Sequence, residues 1–159
     1  RSPDQVGKEI DVIYDRFDED ALSRWSLRHQ AKDFLYFLKT FDIQTGLVSN
    51  VGAKALEEAI KKLGLSSFFN IMVSRNDVQH LKPDGEGIRL ALNRLGVPGR
   101  KALFVGDSMD DIQAAKEVGL KVVMMMGGEN PISDLLSGGP DFLLQDYGEL
   151  IACFREEQI

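Results

Sequence analysis

The apolar positions of this chain follow one rhythm up to about residue 43 and another beyond it. Val6, Ile10, Ile13 and Phe17 recur at steps of four, three and four, and Pro3 stands where a first helical turn accepts proline, so the pattern predicts a helix over residues 3 to 22. After a break around Trp25, Ala31, Phe34, Leu35 and Leu38 mark a second amphipathic helix ending near Thr40, with Lys39 suited to the negative end of its dipole. From there short apolar runs alternate with helical periodicity. Strands are predicted at 43 to 49, 69 to 73, 102 to 106, 121 to 126 and 142 to 144. Between them, Ala55, Leu56, Ala59, Ile60 and Leu63, then Ile88, Ala91, Leu92 and Leu95, then Ile112, Ala115 and Val118 line helix faces, with Gly64, Gly96 and Gly119 as terminators. A short helix at 131 to 136 and a closing one at 147 to 154 complete the chain.

Strands that alternate with helices, joined by right-handed crossovers, give a parallel sheet with helices on both faces, an α/β fold. The four apolar residues before Gly106 show no alternation, as expected of a strand covered on both sides, and in an open parallel sheet the loop after such a strand is where ligands bind. That loop carries Asp107 and, four residues on, Asp111. Two acids there suit a hard, oxygen-liganded cation, and magnesium typically takes one or two carboxylates and completes its shell with water and phosphate. Capping of the following helix by Asp107, Ser108 or Asp110 explains the same residues equally well when they are read alone.

Polar residues suited to phosphate also follow the two preceding strands. Ser49 and Asn50 offer a hydroxyl and neighbouring backbone N–H groups, and Lys82 offers a compact positive charge. Each has a plain reading: a turn or cap for Ser49-Asn50, an exposed lysine before a turn proline for Lys82-Pro83. His80 reads as a loop residue, His29 as surface or cap, and Met124 to Met126 as core. It is the recurrence at three successive strand ends that favours a phosphate and metal pocket.

Composition narrows the partners. Apolar content of 43% and charged content of 28% describe an ordinary globular domain, and a net charge of −6 argues against nucleic acid or an anionic membrane. No apolar run approaches the roughly 18 residues of a spanning helix and no signal-peptide pattern opens the chain, so a cytoplasmic location is expected. Cys153 is the single cysteine, which leaves neither an intrachain disulfide nor a cysteine-rich zinc site.

Taken in order, these stretches resemble the haloacid dehalogenase-like phosphohydrolases, in particular their phosphoglycolate-phosphatase-like branch. Thr45-Gly-Leu-Val-Ser-Asn50 is similar to the second motif of that family, His80-Leu-Lys-Pro-Asp84 to the third, and Val105-Gly-Asp-Ser-Met-Asp-Asp-Ile112 to the fourth. The stretches Gly119-Leu-Lys-Val-Val123 and Gly139-Pro-Asp-Phe-Leu143 are also similar to the segments that come after the fourth motif in that branch. The resemblance implies a Rossmann-like parallel sheet and magnesium-dependent hydrolysis of a small phosphorylated metabolite through an aspartyl-phosphate. By the same resemblance Ser49 and Lys82 are catalytic, Ser49, Asn50 and Lys82 bind phosphate, and Asp107 and Asp111 hold the metal.

The first motif, a strand ending in Asp-x-Asp-Gly-Thr that carries the nucleophile, has no counterpart. Phe17 to Leu22 keeps Asp18 and Asp20 at the right spacing but lacks Gly-Thr and sits in helical periodicity, so those acids read as a solvated helix face. Residues 1 to 27 are therefore expected to be the tail of a helical cap, and residues 28 to 159 a core lacking its first strand and its nucleophile. The missing strand is expected at the centre of the sheet, its place taken by a partner chain, by a missing N-terminal segment, or by closure of the flanking strands on each other. The alternative function is a non-catalytic metal- and phosphate-binding remnant, or one part of a site completed by another chain. A receiver-like signalling domain needs an acidic pair after its first strand, and a dinucleotide-binding domain needs Gly-x-Gly-x-x-Gly after a strand; the sequence has neither.

Overall fold

In the computed structural model, which describes residues 2–157 and 159 but not the side chains of residues 3, 4, 6, 7, 10 and 11, helices and parallel strands alternate from residue 46 onward. The order is α1 (Pro3–Leu22), α2 (Ala31–Thr40), β1 (Gly46–Val48), α3 (Ala53–Lys62), β2 (Ile71–Val73), α4 (Glu86–Leu95), β3 (Leu103–Gly106), α5 (Met109–Val118), β4 (Lys121–Met125), α6 (Ile132–Ser137), β5 (Phe142–Leu144) and α7 (Tyr147–Arg155). The α/β class read from the sequence is the one observed.

The side chains of β4 explain the layering. Val122 and Met124 point to one face and pack with Ile88 of α4, Ile112, Ala114 and Ala115 of α5 and Leu135 of α6. Val123 and Met125 point to the other and pack with Phe34 and Leu38 of α2 and Leu150 of α7. A third cluster gathers Leu56 and Ile60 of α3 with Leu65, Phe68, and the partly buried Leu47 and Met72 of the first two strands. Period-two burial on both faces is what a strand covered on both sides requires.

The hydrogen-bonded ladder is interrupted. β1 pairs in parallel with β2, with Val48 opposite Val73, and β3, β4 and β5 form a separate parallel set. Among the described residues no ladder joins β1 to β3, so these two strands have not closed on each other. Burial marks the same break: Val122 to Met125 are at most 2% exposed, whereas every residue of β3 is only partly buried. The two sets nonetheless belong to one layered body, because α4 packs on β1, β2 and α5, and Val48 joins Phe104 in one apolar cluster.

Four strands are shorter than the sequence pattern predicts, β3 and β4 by one residue each and β1 and β2 by more. β1 covers 46 to 48 rather than 43 to 49, because the backbone is still leaving α2 at Ile43, whose N–H donates to Leu38 O, with Asp42 at a φ of 54°. β2 begins at Ile71 rather than 69, since Phe68 closes a turn onto Leu65.

Helix α1 has the predicted extent, capped by Ser2 with Gln5 and carrying Pro3 in its first turn. Of the apolar face predicted for it, the side chains of Val6 and Ile10 lie outside those described, while Ile13 and Phe17 are 55% and 69% exposed. What docks α1 is its acidic side. Arg75 pairs with Asp15 and Asp18, each at 2.8 Å, and lies over the Tyr14 ring. Asp18 also accepts from the Gly52 N–H at 2.9 Å, supplying α3 with the N-terminal cap its own glycine lacks. The reading of Asp18 as a solvated helix face is therefore corrected: its side chain is 14% exposed and ionically held, whereas Asp20 is exposed and pairs with Arg24. Because Asp18→Ala leaves the nearly buried Arg75 guanidinium with Asp15 alone and the Gly52 N–H without its acceptor, it should cost about 2 kcal/mol in urea denaturation and make α1 the first site of limited proteolysis. A loss under 0.5 kcal/mol, the usual range of a surface change, would contradict this.

Candidate active site at the strand ends

Each of the first three strands ends in a loop that contributes to one polar cluster. After Val48, Ser49 donates its N–H to Val73 O, and its hydroxyl accepts from Val51 N at 3.2 Å. Asn50 spends both ends of its amide on the Lys82 backbone, donating to Lys82 O at 3.1 Å and accepting from Lys82 N at 3.0 Å. The loop after the second strand is thereby clamped to the loop after the first. Lys82, followed by a cis peptide to Pro83, sends its Nζ to Asp111 Oδ1 at 2.7 Å and to Val48 O at 3.3 Å, and lies 5.9 Å from the Phe104 ring centre. Its side chain thus spans the mouth of the break between β1 and β3.

Asp111 sits in the first turn of α5 and is only 5% exposed. Its Oδ2 accepts the N–H groups of Asp107 and Ser108 at 3.0 and 3.2 Å, while Ser108 caps the helix by accepting from Asp111 N. Burial alone pushes the Asp111 carboxyl up; the Lys82 charge and hydrogen bond, with the donors from Asp107 and Ser108, outweigh it and hold the group below the usual carboxylate value. Gly106 makes this geometry possible, because a Cβ there would stand 2.5 Å from Asp111 Cβ.

Asp107 is the more open acid. Its Oδ2 meets Arg28 Nη2 at 2.7 Å, and Arg28 is steadied from behind by Nη1 donating to Met126 O at 2.8 Å. The two side chains are 45% and 33% exposed. Gly128 lies against the same residue, where a Cβ would come within 2.5 Å of Asp107 O, and Asn130 accepts from Met109 N at the start of α5. Tyr147, packed on Phe34, has its phenol pushed up by burial, with Asp107 adding to the shift and Arg28 opposing it.

All five residues expected from the sequence therefore lie at adjoining strand ends, and Lys82 with Asp111, Asn50 with Lys82, and Asp107 N with Asp111 are in direct contact. His80 is an exposed loop residue beside Glu86, and Cys153 is half-buried and unbonded. Arg28 was not foreseen: an isolated arginine between two helices, far from every motif, gives no periodic or spacing signal. The clamp formed by Asn50 was also hidden, since an Asn after a strand reads as a turn.

The side chains fit a magnesium-type ion in one specific sense. Asp111 has both oxygens engaged, so Asp107 supplies the accessible hard donor, and no group of three His, Cys, Asp or Glu among the described residues makes a protein cage. That donor set matches a cation that takes most of its ligands from water and phosphate. Charge points the same way. Lys82 and Arg28 balance Asp107 and Asp111, so the cluster is close to neutral and a phosphate dianion needs further positive charge beside it.

Comparison with known proteins identifies the family. Residues 2–125 match the family model described as haloacid dehalogenase-like hydrolase. The chain is 29% identical over 148 residues to the pyrophosphatase PpaX of Bacillus velezensis, covering 93% of this chain and 60% of that protein. It is 31% identical over 140 residues to a phosphoglycolate phosphatase of Salmonella choleraesuis, covering 87% and 56%. These 159 residues thus span somewhat over half the length of the curated relatives they match. Among solved structures, one described as a predicted phosphoglycolate phosphatase from Haemophilus somnus superposes with a TM-score of 0.75 at 25% identity, covering 81% of this chain and 57% of that one. A haloacid dehalogenase-superfamily hydrolase from Ehrlichia chaffeensis gives 0.69 at 25% identity, covering 82% and 58%. The chain belongs to the haloacid dehalogenase-like hydrolases, in their phosphoglycolate-phosphatase-like branch.

Proposed function

We propose that these residues form most of the active site of a magnesium-dependent phosphatase acting on a small phosphate monoester, with the nucleophilic aspartate outside this chain. The observation that carries the reading is the buried Lys82–Asp111 pair set beside an open Asp107 at adjoining parallel strand ends. In the reaction, a carboxylate oxygen attacks phosphorus, the bond to the leaving alcohol breaks, and water then cleaves the aspartyl-phosphate to release phosphate. Ser49 binds the transferring phosphoryl group. Lys82 offsets charge on the phosphoryl oxygens and the attacking carboxylate, and Asn50 and Asp111 keep it in place. Asp107 would hold the magnesium ion, which would supply positive charge to the phosphate oxygens; Asp111 orders the Asp107 and Ser108 backbone beside it.

Residues 1 to 27 fit the tail of a cap, in keeping with the open apolar side of α1 at Ile13 and Phe17, and residues 28 to 159 fit the core. The relatives named for phosphoglycolate and pyrophosphate support a small phosphorylated substrate. No described helix is long and apolar enough to cross a membrane, and the charge of −6 disfavours nucleic acid.

Calorimetric titration with magnesium chloride tests the site. Asp107→Asn should lower affinity at least about tenfold, which is the loss of about 1.4 kcal/mol from one anionic ligand; Asp111→Asn should weaken it less. Unchanged affinity in both variants would reduce the two acids to helix-capping residues.

A further inference from the structure

Arg28 sits where a cation is expected. Its guanidinium is on the one carboxylate of the cluster that is open to solvent, and its second nitrogen is fixed by the Met126 carbonyl just past β4. A side chain fixed this way is a built-in counter-ion rather than a chance surface pair, because two groups on separate elements hold the planar fork in one orientation. Arg28 engages Oδ2 of Asp107 alone, but a divalent ion on the same small carboxylate stands close enough to the guanidinium for the two positive charges to repel, so each weakens the hold of the other. Arg28 also belongs to the short segment joining α1 to α2, three residues after the partly buried Trp25.

We infer that Arg28 is an exchangeable internal counter-ion of Asp107: a divalent cation displaces it, and its release shifts the segment between α1 and α2. This rests on the reading of Asp107 as the cation ligand. The consequence is that metal affinity is set partly by a residue on the segment leading from α1. Loading of the metal site is thereby coupled to the position of that helix, and Arg28, once freed, carries a positive charge that Asp107 no longer neutralises.

Trp25 is the only tryptophan, so its emission reports on that segment without a label. The 159-residue chain and its Arg28→Gln variant are titrated with magnesium chloride at low and high ionic strength, following both heat and Trp25 fluorescence. Arg28→Gln should bind magnesium about fivefold more tightly at low salt, the worth of a partly exposed ion pair, and the advantage should shrink at high salt as the competing charge is screened. Arg28→Lys, which keeps the charge but not the fork, should fall between the parent and Arg28→Gln. Magnesium should change Trp25 emission in the parent, whereas Arg28→Gln should start near the loaded signal and change little. Equal or weaker binding by Arg28→Gln, with parental binding intact and lost in Asp107→Asn, would overturn the exchange while leaving the metal site standing. Absence of any binding that depends on Asp107, in parent and variant alike, would remove the exchange together with the site reading beneath it.

Discussion

Replacing Lys82 by Met should destabilise the folded chain by about 3 to 5 kcal/mol at neutral pH, the usual cost of leaving one member of a buried ion pair alone. The side chains of Lys82 and Asp111 are 14% and 8% exposed, so water screens the pair little. In the parent protein the folded Asp111 carboxyl lies below its ordinary value despite its burial, through Lys82 and the Asp107 and Ser108 donors. Its contribution is therefore present above the ordinary carboxylate range near pH 4 and is lost as pH falls through the lowered value. Without Lys82, burial becomes the dominant influence and the folded carboxyl takes up a proton more readily than the unfolded one. The variant's deficit then grows as pH rises from about 4 and is largest at pH 7. Urea denaturation at pH 4.5 and 7 checks the sign. The double variant Lys82→Met/Asp111→Asn should recover part of the loss, since no charge is left unpaired. A deficit independent of pH, or one below 1 kcal/mol, would show that the pair contributes little to the fold.

How much of this was legible beforehand depends on how local the physics is. Helix extents followed from spacing, because a 3.6-residue period and glycines such as Gly96 and Gly119, both left-handed in the structure, act within a few residues. The grouping of Lys82 with Asp111 was legible only through topology: parallel strands bring successive C-terminal loops to one edge. Strand ends were not, because Ile43 and Phe69 are apolar for reasons of helix exit and loop packing rather than pairing. Asp18 misled for a related reason, since its spacing along α1 says nothing of an arginine 57 residues away. Arg28 is the same case at the site itself.

The polypeptide of these 159 residues, prepared alone, should associate as its concentration rises and should turn over no p-nitrophenyl phosphate. The absent turnover follows from the proposed place of the nucleophile outside the chain, and the association from the break between β1 and β3. Among the described residues no strand receives the backbone N–H and C=O groups of their facing edges, and Lys82 Nζ reaches the last carbonyl of β1, that of Val48. Edge strands that stay monomeric are usually guarded by charges, proline or a bulge. Gly46–Val48 and Leu103–Gly106 have no charged residue or proline. Their residues are half-buried at best, so solvation of those groups is incomplete and each unpaired group costs on the order of 1 kcal/mol or more. Another copy of the chain lowers that cost by pairing along either edge, which sedimentation velocity detects. Hydrogen exchange should show β4, paired on both sides and fully covered, as the most protected strand, with β1 and β3 opening at much lower free energy. A longer polypeptide that adds an apolar strand ending in Asp-x-Asp-Gly-Thr should instead be monomeric, protect β1 and β3 as well as β4, and release phosphate in the presence of magnesium. A 17.7 kDa monomer at every concentration, with β1 and β3 amides protected as strongly as those of β4, would contradict this.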